Sequence, residues 1–317
     1  MWQAFELVHA TFKAGAELYL EDMLPALDNF VQYGSAHLVQ SPQYLNAMFS
    51  MVQDMFADEK VGGVDRICAC KLAEGMMLSL RGHIDQHVVA FVEMAMRTLT
   101  NEQVKVKSYR IHLMEMVINA IYYNPVLTLH VLEAKQWTNK FFSWWFSSID
   151  SFSRVHDKKL SIAAIVSLLT LNADQVPLSV QQGWPRLLQG IVRLFQTLPA
   201  ATKNREEALK DDFPLEGSAY DDDEEDDEWA GDDNAWNDEE EPEEEQDAKD
   251  ESSAYLEFLN EEAQKFQNLE DNDSDDELGE ESLLETPLDK IEPYQLFKNA
   301  LMSMSSSFTP LLLYTPS

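Results

Sequence analysis

The chain has 317 residues, with 23 Lys and Arg against 57 Asp and Glu, which gives a formal net charge of −34 at pH 7. Residues 1–200 hold 16 basic and 18 acidic residues, a net charge of −2, whereas residues 201–317 hold 7 basic and 39 acidic residues, a net charge of −32. This balance argues against nucleic-acid phosphates as partners, and no signal peptide or apolar run of roughly 20 residues indicates secretion or membrane insertion.

The apolar residues of the first two hundred positions recur at helical spacing, and turn signals divide them into segments. The pattern predicts helices over residues 1–14, 16–33, 42–57, 64–81, 84–99, 102–122, 125–135, 137–152, 157–172 and 180–209. Short connections place consecutive helices side by side, so these helices form roughly five antiparallel pairs. Pairs of about forty residues without an exact repeat predict an all-α, HEAT-like solenoid over residues 1–210, with an irregular bundle as the alternative.

No catalytic motif is present in these segments. We find no Walker loop, dinucleotide glycine motif, nucleophile elbow or zinc-peptidase helix. His83 and His87 are four residues apart, as two metal ligands on one helix face would be, but no third ligand is evident and surface or core histidines are favoured. The sequence therefore predicts no enzyme, no cofactor and no metal site.

Two other groups of side chains have a structural and a functional interpretation. Cys68 and Cys70 are two residues apart in a predicted helix, which favours small buried side chains over a disulfide or a redox pair. Residues 141–146 hold five aromatic side chains that surround most of a helix. They are either buried on two sides or partly a binding surface, and we favour burial.

A strongly acidic stretch follows the helical part. Residues 221–251 hold 20 acidic residues and one Lys. Like charges with few aliphatic side chains stay solvated, so residues 211–286 are predicted to form a disordered acidic loop. Such a loop is either a solubilising element or a docking site for basic proteins.

Two tryptophans inside the acidic stretch favour the docking site. Trp229 and Trp236 add nothing to a solubilising loop, whereas exposed indoles make cation–π contacts with Lys and Arg. The predicted contact residues for basic cargo are Asp221, Asp222, Asp223, Glu224, Glu225, Asp226, Asp227, Glu228, Trp229, Trp236, Glu239, Glu240, Glu241, Glu243, Glu244 and Glu245.

The last part of the chain regains an apolar pattern. Residues 287–317 are predicted to form a C-terminal helix and an irregular tail, with Pro293 at the start of the helix. Just before them, Ser274 precedes three acidic residues, a pattern that an acid-directed kinase favours, although an unmodified serine is the simpler interpretation.

Several stretches of the chain resemble one protein family. They are MWQAFELV, YLEDMLPALDNFV, HIDQHVVAFVEMAMRTLT, AIYYNPVLTLHVLE, HDKKLSIAAIVSLL and EPYQLFKNAL. In the same order, they are similar to stretches of the importin-seven and importin-eight branch of the importin-beta (karyopherin) family, as far as about Leu301. The resemblance implies a nuclear transport receptor that carries cargo through the pore and releases it when Ran binds in its GTP form.

The resemblance also implies partners and a location. Cargoes of this branch include histones and ribosomal proteins, and its receptors contact the phenylalanine-glycine repeats of the pore, so we expect the nucleus, the cytoplasm and the nuclear envelope. The family's main Ran-binding repeats precede the point that corresponds to Met1, which implies a C-terminal fragment with weak Ran binding. Beyond Met302 the resemblance ends. The alternative is an acidic, histone-chaperone-like scaffold that does not shuttle.

Overall fold

The computed structural model describes residues 2–101, 104–212 and 286–307, and these residues contain helices and turns but no strand. The helices are α1 (Trp2–Lys13), α2 (Leu20–Gln40), α3 (Pro42–Ala57), α4 (Gly63–Ser79), α5 (Asp85–Asn101), α6 (Lys107–Tyr123), α7 (Pro125–Ala134), α8 (Thr138–Ser147), α9 (Val155–Leu169), α10 (Leu178–Gln182), α11 (Trp184–Asp212) and α12 (Pro293–Ser307).

The helices form two layers. In one layer, α2, α4, α6, α9 and α11 contact one another in that order. In the other, α1 contacts α3, α5 contacts α7 and α7 contacts α8, while α1, α3, α5 and α10 each pack on the helix that follows them. This arrangement confirms the all-α, helical-repeat prediction.

Most predicted boundaries lie close to those of the structure, and two differences have local causes. The helix predicted over residues 16–33 continues to Gln40 as α2, since the packing around the buried Gly34 outweighs the cost of about 1 kcal/mol of a helix-interior glycine. The predicted helix over 180–209 is divided into α10 and α11 at Gly183, where a Cβ atom would lie 3.3 Å from the carbonyl oxygen of Val180.

Helix α6 is the centre of the core. Every residue from Tyr109 to Ile121 is buried, because α4, α5, α7 and α9 surround the helix. Its polar side chains at Ser108, His112, Glu115 and Asn119 lie on the same stripe and therefore need partners inside the protein. The partners determine how α9 is placed against α6.

Arg154, the residue before α9, contacts two of these side chains, His112 and Glu115. Its Nη2 donates to Glu115 Oε2 at 2.7 Å and its Nη1 lies 3.1 Å from His112 Nε2. Its Nε donates to Asp157 Oδ1 at 2.8 Å, and its backbone N–H donates to Asp157 Oδ2 at 3.2 Å. We call these four side chains (His112, Glu115, Arg154 and Asp157) the buried network.

The two carboxyl groups of the network have pKa values that are shifted in opposite directions. Burial favours neutral carboxyls, but the adjacent Arg154 charge outweighs it at Asp157 and holds the pKa of Asp157 well below its ordinary value. At Glu115 burial prevails and raises the pKa well above its ordinary value. Burial and the Arg154 charge together lower the pKa of His112, which stays neutral and donates through Nδ1 to the carbonyl oxygen of Ser108 at 2.9 Å.

We expect Asp157→Asn to lower the free energy of unfolding by about 3–5 kcal/mol, because Arg154 then loses the anion that compensates its buried charge. Glu115→Gln is the matched control, since it alters the carboxyl whose pKa is raised, and it should cost about 1 kcal/mol. Denaturant unfolding measures both. Equal losses for the two variants would contradict this description of the network.

The pH dependence provides a second measurement of the same pair. Because the pKa of Asp157 is lower in the folded protein than in the unfolded chain, its contribution is fully present above the ordinary aspartate pKa and declines as pH falls below it. The difference in stability between wild type and Asp157→Asn should therefore shrink on acidification, as unfolding curves at stepwise lower pH will record.

Candidate functional site

The residues predicted to bind basic cargo, from Asp221 to Glu245 with Trp229 and Trp236, lie outside the residues that the structure describes. Ser274 also lies outside them. Their roles stay predictions. The structure does describe the residues that precede this stretch, up to Asp212, and those that follow it, from Thr286.

Residues 286–307, which we call the return segment, begin with a short 3-10 turn at Pro287–Lys290. Thr286 starts it: its Oγ1 accepts from the Leu288 N–H at 3.3 Å, and its own N–H donates to Asp289 Oδ2 at 2.8 Å. Pro293 then begins α12, as its fixed φ predicts.

A set of contacts that we call the clasp holds this turn on the helical repeats. Arg205 Nη1 on α11 donates to Asp289 Oδ1 at 2.7 Å. Lys159 Nζ on α9 donates to the carbonyl oxygens of Leu288 and Asp289 at 3.3 and 3.2 Å. Leu288 is only 1% exposed, so it anchors the turn in the core. The clasp thus consists of Lys159, Arg205, Leu288 and Asp289.

The electrostatics of the clasp favour an ionised Asp289. Burial alone would raise the pKa of Asp289, but hydrogen bonds from Arg205 and from the Thr286 amide, with the charges of Arg205 and Lys159, outweigh it and lower the pKa. The ion pair is partly shielded from water, since the Arg205 side chain is 20% exposed. It is therefore screened less than a pair at the open surface.

Aromatic side chains extend the contact along α12. Phe195 of α11 stacks on Tyr294 with ring centroids 4.6 Å apart. The ring centroid of Phe297 lies 5.5 Å from that of Phe195. The Tyr294 hydroxyl donates to the Phe195 carbonyl oxygen at 3.3 Å. Helix α12 also packs along α9. The return segment is therefore part of the folded body.

A small cavity lies beneath the 3-10 turn, between it and helices α2, α4 and α9. It encloses about 100 Å³, and the ionisable side chains that line it are Asp28, Lys71, Glu74, His112, Glu115, Arg154, His156, Arg205 and Asp289. Burial raises the pKa of Asp28, although a hydrogen bond from Gln32 opposes this. Small-molecule sites enclose roughly 300–1,000 Å³, so the cavity is too small for a substrate.

Two contacts of Glu74 join helices α4, α6 and α9 beside this cavity. His156 Nε2 on α9 lies 3.2 Å from Glu74 Oε2 on α4. The Asn119 amide on α6 donates to the Glu74 carbonyl oxygen at 3.2 Å. The Glu74 residue of α4 therefore joins α9 and α6 beside the cavity.

The structure also gives the positions of the histidines, the cysteines and the aromatic side chains that the sequence singled out. His83 precedes α5 and is exposed, whereas His87 is buried in α5 with its ring 4.4 Å from that of Phe49, so the two imidazoles do not share a helix face. Both cysteines are buried and neither forms a disulfide, as predicted. Among the aromatic side chains of residues 141–146, Phe141, Phe142, Trp144 and Trp145 are buried and Phe146 is partly buried, which confirms the structural interpretation.

Two further observations concern the described ranges alone. Residues 2–101, 104–212 and 286–307 contain no group of three or more side chains that could hold a metal ion. None of the helices in the described part of the chain is both long and apolar enough to cross a bilayer.

The chain is similar to several importins. The probable importin-7 homologue of Dictyostelium discoideum is 30% identical over 221 residues, which cover 67% of this chain and 21% of that protein. Importin-8 of Homo sapiens is 30% identical over 221 residues, again 67% of this chain and 21% of that protein. The importin beta-like SAD2 homologue of Arabidopsis thaliana is 29% identical over 323 residues, 98% of this chain and 30% of that protein.

The chain spans between a fifth and a third of the length of these relatives. No protein-family model matches it, and no solved structure does. The helical-repeat fold and the similarity to these importins agree with the resemblance in the sequence. The chain belongs to the importin-beta family of nuclear transport receptors, among its importin-7/8-like members.

Proposed function

We propose that the chain is part of a nuclear import receptor and that its acidic stretch binds basic protein cargo. The observation that carries the proposal is the similarity to importins, which extends over 98% of the chain in one relative. Histones and ribosomal proteins are the cargoes that fit best, because their basic segments complement the charge of residues 201–317. Ran-dependent release, contact with pore repeats and passage between cytoplasm, nuclear envelope and nucleus belong to the proposed function of the whole receptor.

The charge distribution supports this use of the acidic stretch. The helical repeats of residues 1–200 are almost neutral, whereas residues 201–317 carry a net charge of −32. A concentrated field of one sign attracts an oppositely charged protein and raises the rate of encounter. The clasp holds the residues that follow the stretch on α9 and α11, and α11 itself precedes the stretch in the sequence. Cargo captured by the stretch is therefore brought to the helical repeats.

An acidic scaffold that buffers basic proteins without shuttling is the alternative, and it rests on the same acidic stretch. The two functions differ in their need for the nuclear pore. A receptor requires contact with phenylalanine-glycine repeats, whereas a scaffold does not.

We expect the chain to bind an immobilised phenylalanine-glycine repeat peptide in surface plasmon resonance. The same peptide with Phe changed to Ser should give no binding signal. The reason is that pore passage depends on apolar contacts with the phenylalanine rings. Binding of a histone without any difference between the two peptides would favour the scaffold.

We expect neutralisation of residues 221–245 to slow association with a histone. Asp and Glu in this range are changed to Asn and Gln, so that the length and both tryptophans stay while the attracting field is lost. Charge steering raises association rates by at least about ten-fold at low salt, so stopped-flow association should slow by that factor and its salt dependence should flatten.

The matched control applies the same kind of change to Asp54 and Asp150, exposed carboxylates of the helical repeats. This control should leave the association rate and its salt slope nearly unchanged, and circular dichroism should show intact helices in both variants. An unchanged rate after neutralisation of residues 221–245 would make the stretch a solubilising loop.

We expect replacement of Trp229 and Trp236 by Ala to weaken histone binding with little change in its salt dependence. Each cation–π contact at an exposed site contributes roughly 0.5–1 kcal/mol, so the two together correspond to about a five- to thirty-fold loss. Replacement by Phe should restore part of the affinity, because a phenyl ring keeps a weaker π face. Equal affinity of the Ala variant and wild type, measured by titration calorimetry, would assign the indoles no part in binding.

A further inference from the structure

The cavity beneath the 3-10 turn lies between the return segment and the helical repeats. Thr286, Pro287 and Asp289 form one part of its wall, and Ser79 of α4 and Glu115 of α6 form another. The clasp and the aromatic contacts of α12 therefore hold the return segment beside a space of about 100 Å³. At this place the segment and the core do not close on each other directly.

Two polar atoms in this wall receive no hydrogen bond from the described residues. Ser79 Oγ and Glu115 Oε1 are both shielded from solvent, and no N–H or O–H group in residues 2–101, 104–212 or 286–307 donates to them. The Glu115 side chain is only 1% exposed. A buried polar atom without a partner loses its hydrogen bonds to water without replacement, so such atoms in folded proteins nearly always bind another group. These two atoms therefore indicate a ligand in the cavity.

The size and the composition of the wall identify the ligand as water. A water molecule needs roughly 10–15 Å³ of accessible cavity, so a space of about 100 Å³ holds several. Cavities that stay empty are lined by apolar side chains, whereas nine ionisable side chains line this one. No group of three or more His, Cys, Asp or Glu side chains in the described ranges could hold a metal ion, and a substrate needs a larger space.

We propose that this cavity is a hydration site, in which ordered water joins Ser79 and Glu115 of the helical repeats to Thr286 and Asp289 of the return segment. Both sides supply groups that water can bind, since carboxylate oxygens accept and hydroxyl groups donate and accept. A water molecule that bridges two protein groups is enthalpically nearly as favourable as a direct hydrogen bond. The water therefore helps the clasp to hold the return segment, whichever cargo the receptor binds.

The alternative is a cavity that stays dry or closes by a small movement of its side chains. In that case an apolar side chain at position 79 would pack better than a polar one, because a buried hydroxyl group without a partner is unfavourable. In a hydrated cavity the polar side chain is better, because it keeps its bond to water. The two cases thus predict effects of opposite sign when the polarity of residue 79 changes at constant shape.

The variants are Ser79→Thr and Ser79→Val, whose new side chains have nearly the same shape and differ in one hydroxyl group. Hydrogen exchange of residues 286–307, measured by mass spectrometry on the full chain, reports how firmly the return segment is docked, and exchange of α6 reports global unfolding. Relative to α6, the return segment should exchange about two- to ten-fold faster in Ser79→Val than in Ser79→Thr, as expected for the loss of one net hydrogen bond.

Ser147 provides the matched control. Like Ser79 it is half-buried and is the last residue of its helix, but its Oγ donates to the Trp144 carbonyl oxygen at 3.0 Å and it does not line the cavity. Exchange of the return segment relative to α6 should be the same in Ser147→Thr and Ser147→Val. A difference as large as that at position 79 would mean that the hydroxyl group acts through general stability, and it would overturn the proposal.

A crystal structure of the wild-type chain tests the site directly and does not depend on the folding of any variant. Water should lie about 2.5–3.0 Å from Ser79 Oγ and from Glu115 Oε1. A cavity that is empty or filled by protein side chains would overturn the proposal, and so would exchange in Ser79→Val that is equal to or slower than in Ser79→Thr. Each of these outcomes leaves the proposed binding of basic cargo standing.

Discussion

The position of Arg154 in the core is the constraint on which the other features depend. Helix α6 has no solvent-facing side, so His112 and Glu115 can satisfy their polar atoms only inside the protein, and Arg154 meets both. Through Asp157 the same guanidinium is bound to the first turn of α9. The rotation of α9 is thereby determined, and with it the side on which Lys159 meets the return segment.

Hydrophobic periodicity was sufficient to predict the helices and their pairing, but not the burial of α6. Ser108, His112, Glu115 and Asn119 recur at helical spacing, and a polar stripe of this kind is typical of a solvent-exposed face. In the structure the stripe is covered by Arg154 and Glu74, which lie 39 and 45 residues from their partners on α6. Charged residues are rarely buried unless paired, and no local pattern indicates a pair at such separation.

The sequence indicates the turn of the clasp but not the cation that binds it. Thr286 and Asp289 form the T-x-x-D pattern of a capping box, which indicates the start of a helical turn. Arg205, which pairs with Asp289 across 84 positions, lies in a run of alternating charges that reads as an ordinary exposed helix. The apolar pattern predicts the helix that follows Pro293, but it does not indicate that Leu288, Tyr294 and Phe297 pack against α9 and α11.

The net charge of the chain is concentrated outside the residues that form most of its helical layers. A large net charge destabilises a compact state through self-repulsion, yet residues 1–200, which form most of the two layers, carry a net charge of only −2. Within the buried network, the guanidinium of Arg154 lies against the carboxyl groups of Asp157 and Glu115 at 2.8 and 2.7 Å. Most of the excess carboxylates lie between residues 213 and 285 of the sequence, where they add a long-range field of one sign. The cations of the clasp, Lys159 and Arg205, contact Asp289, which follows the anionic stretch in the sequence.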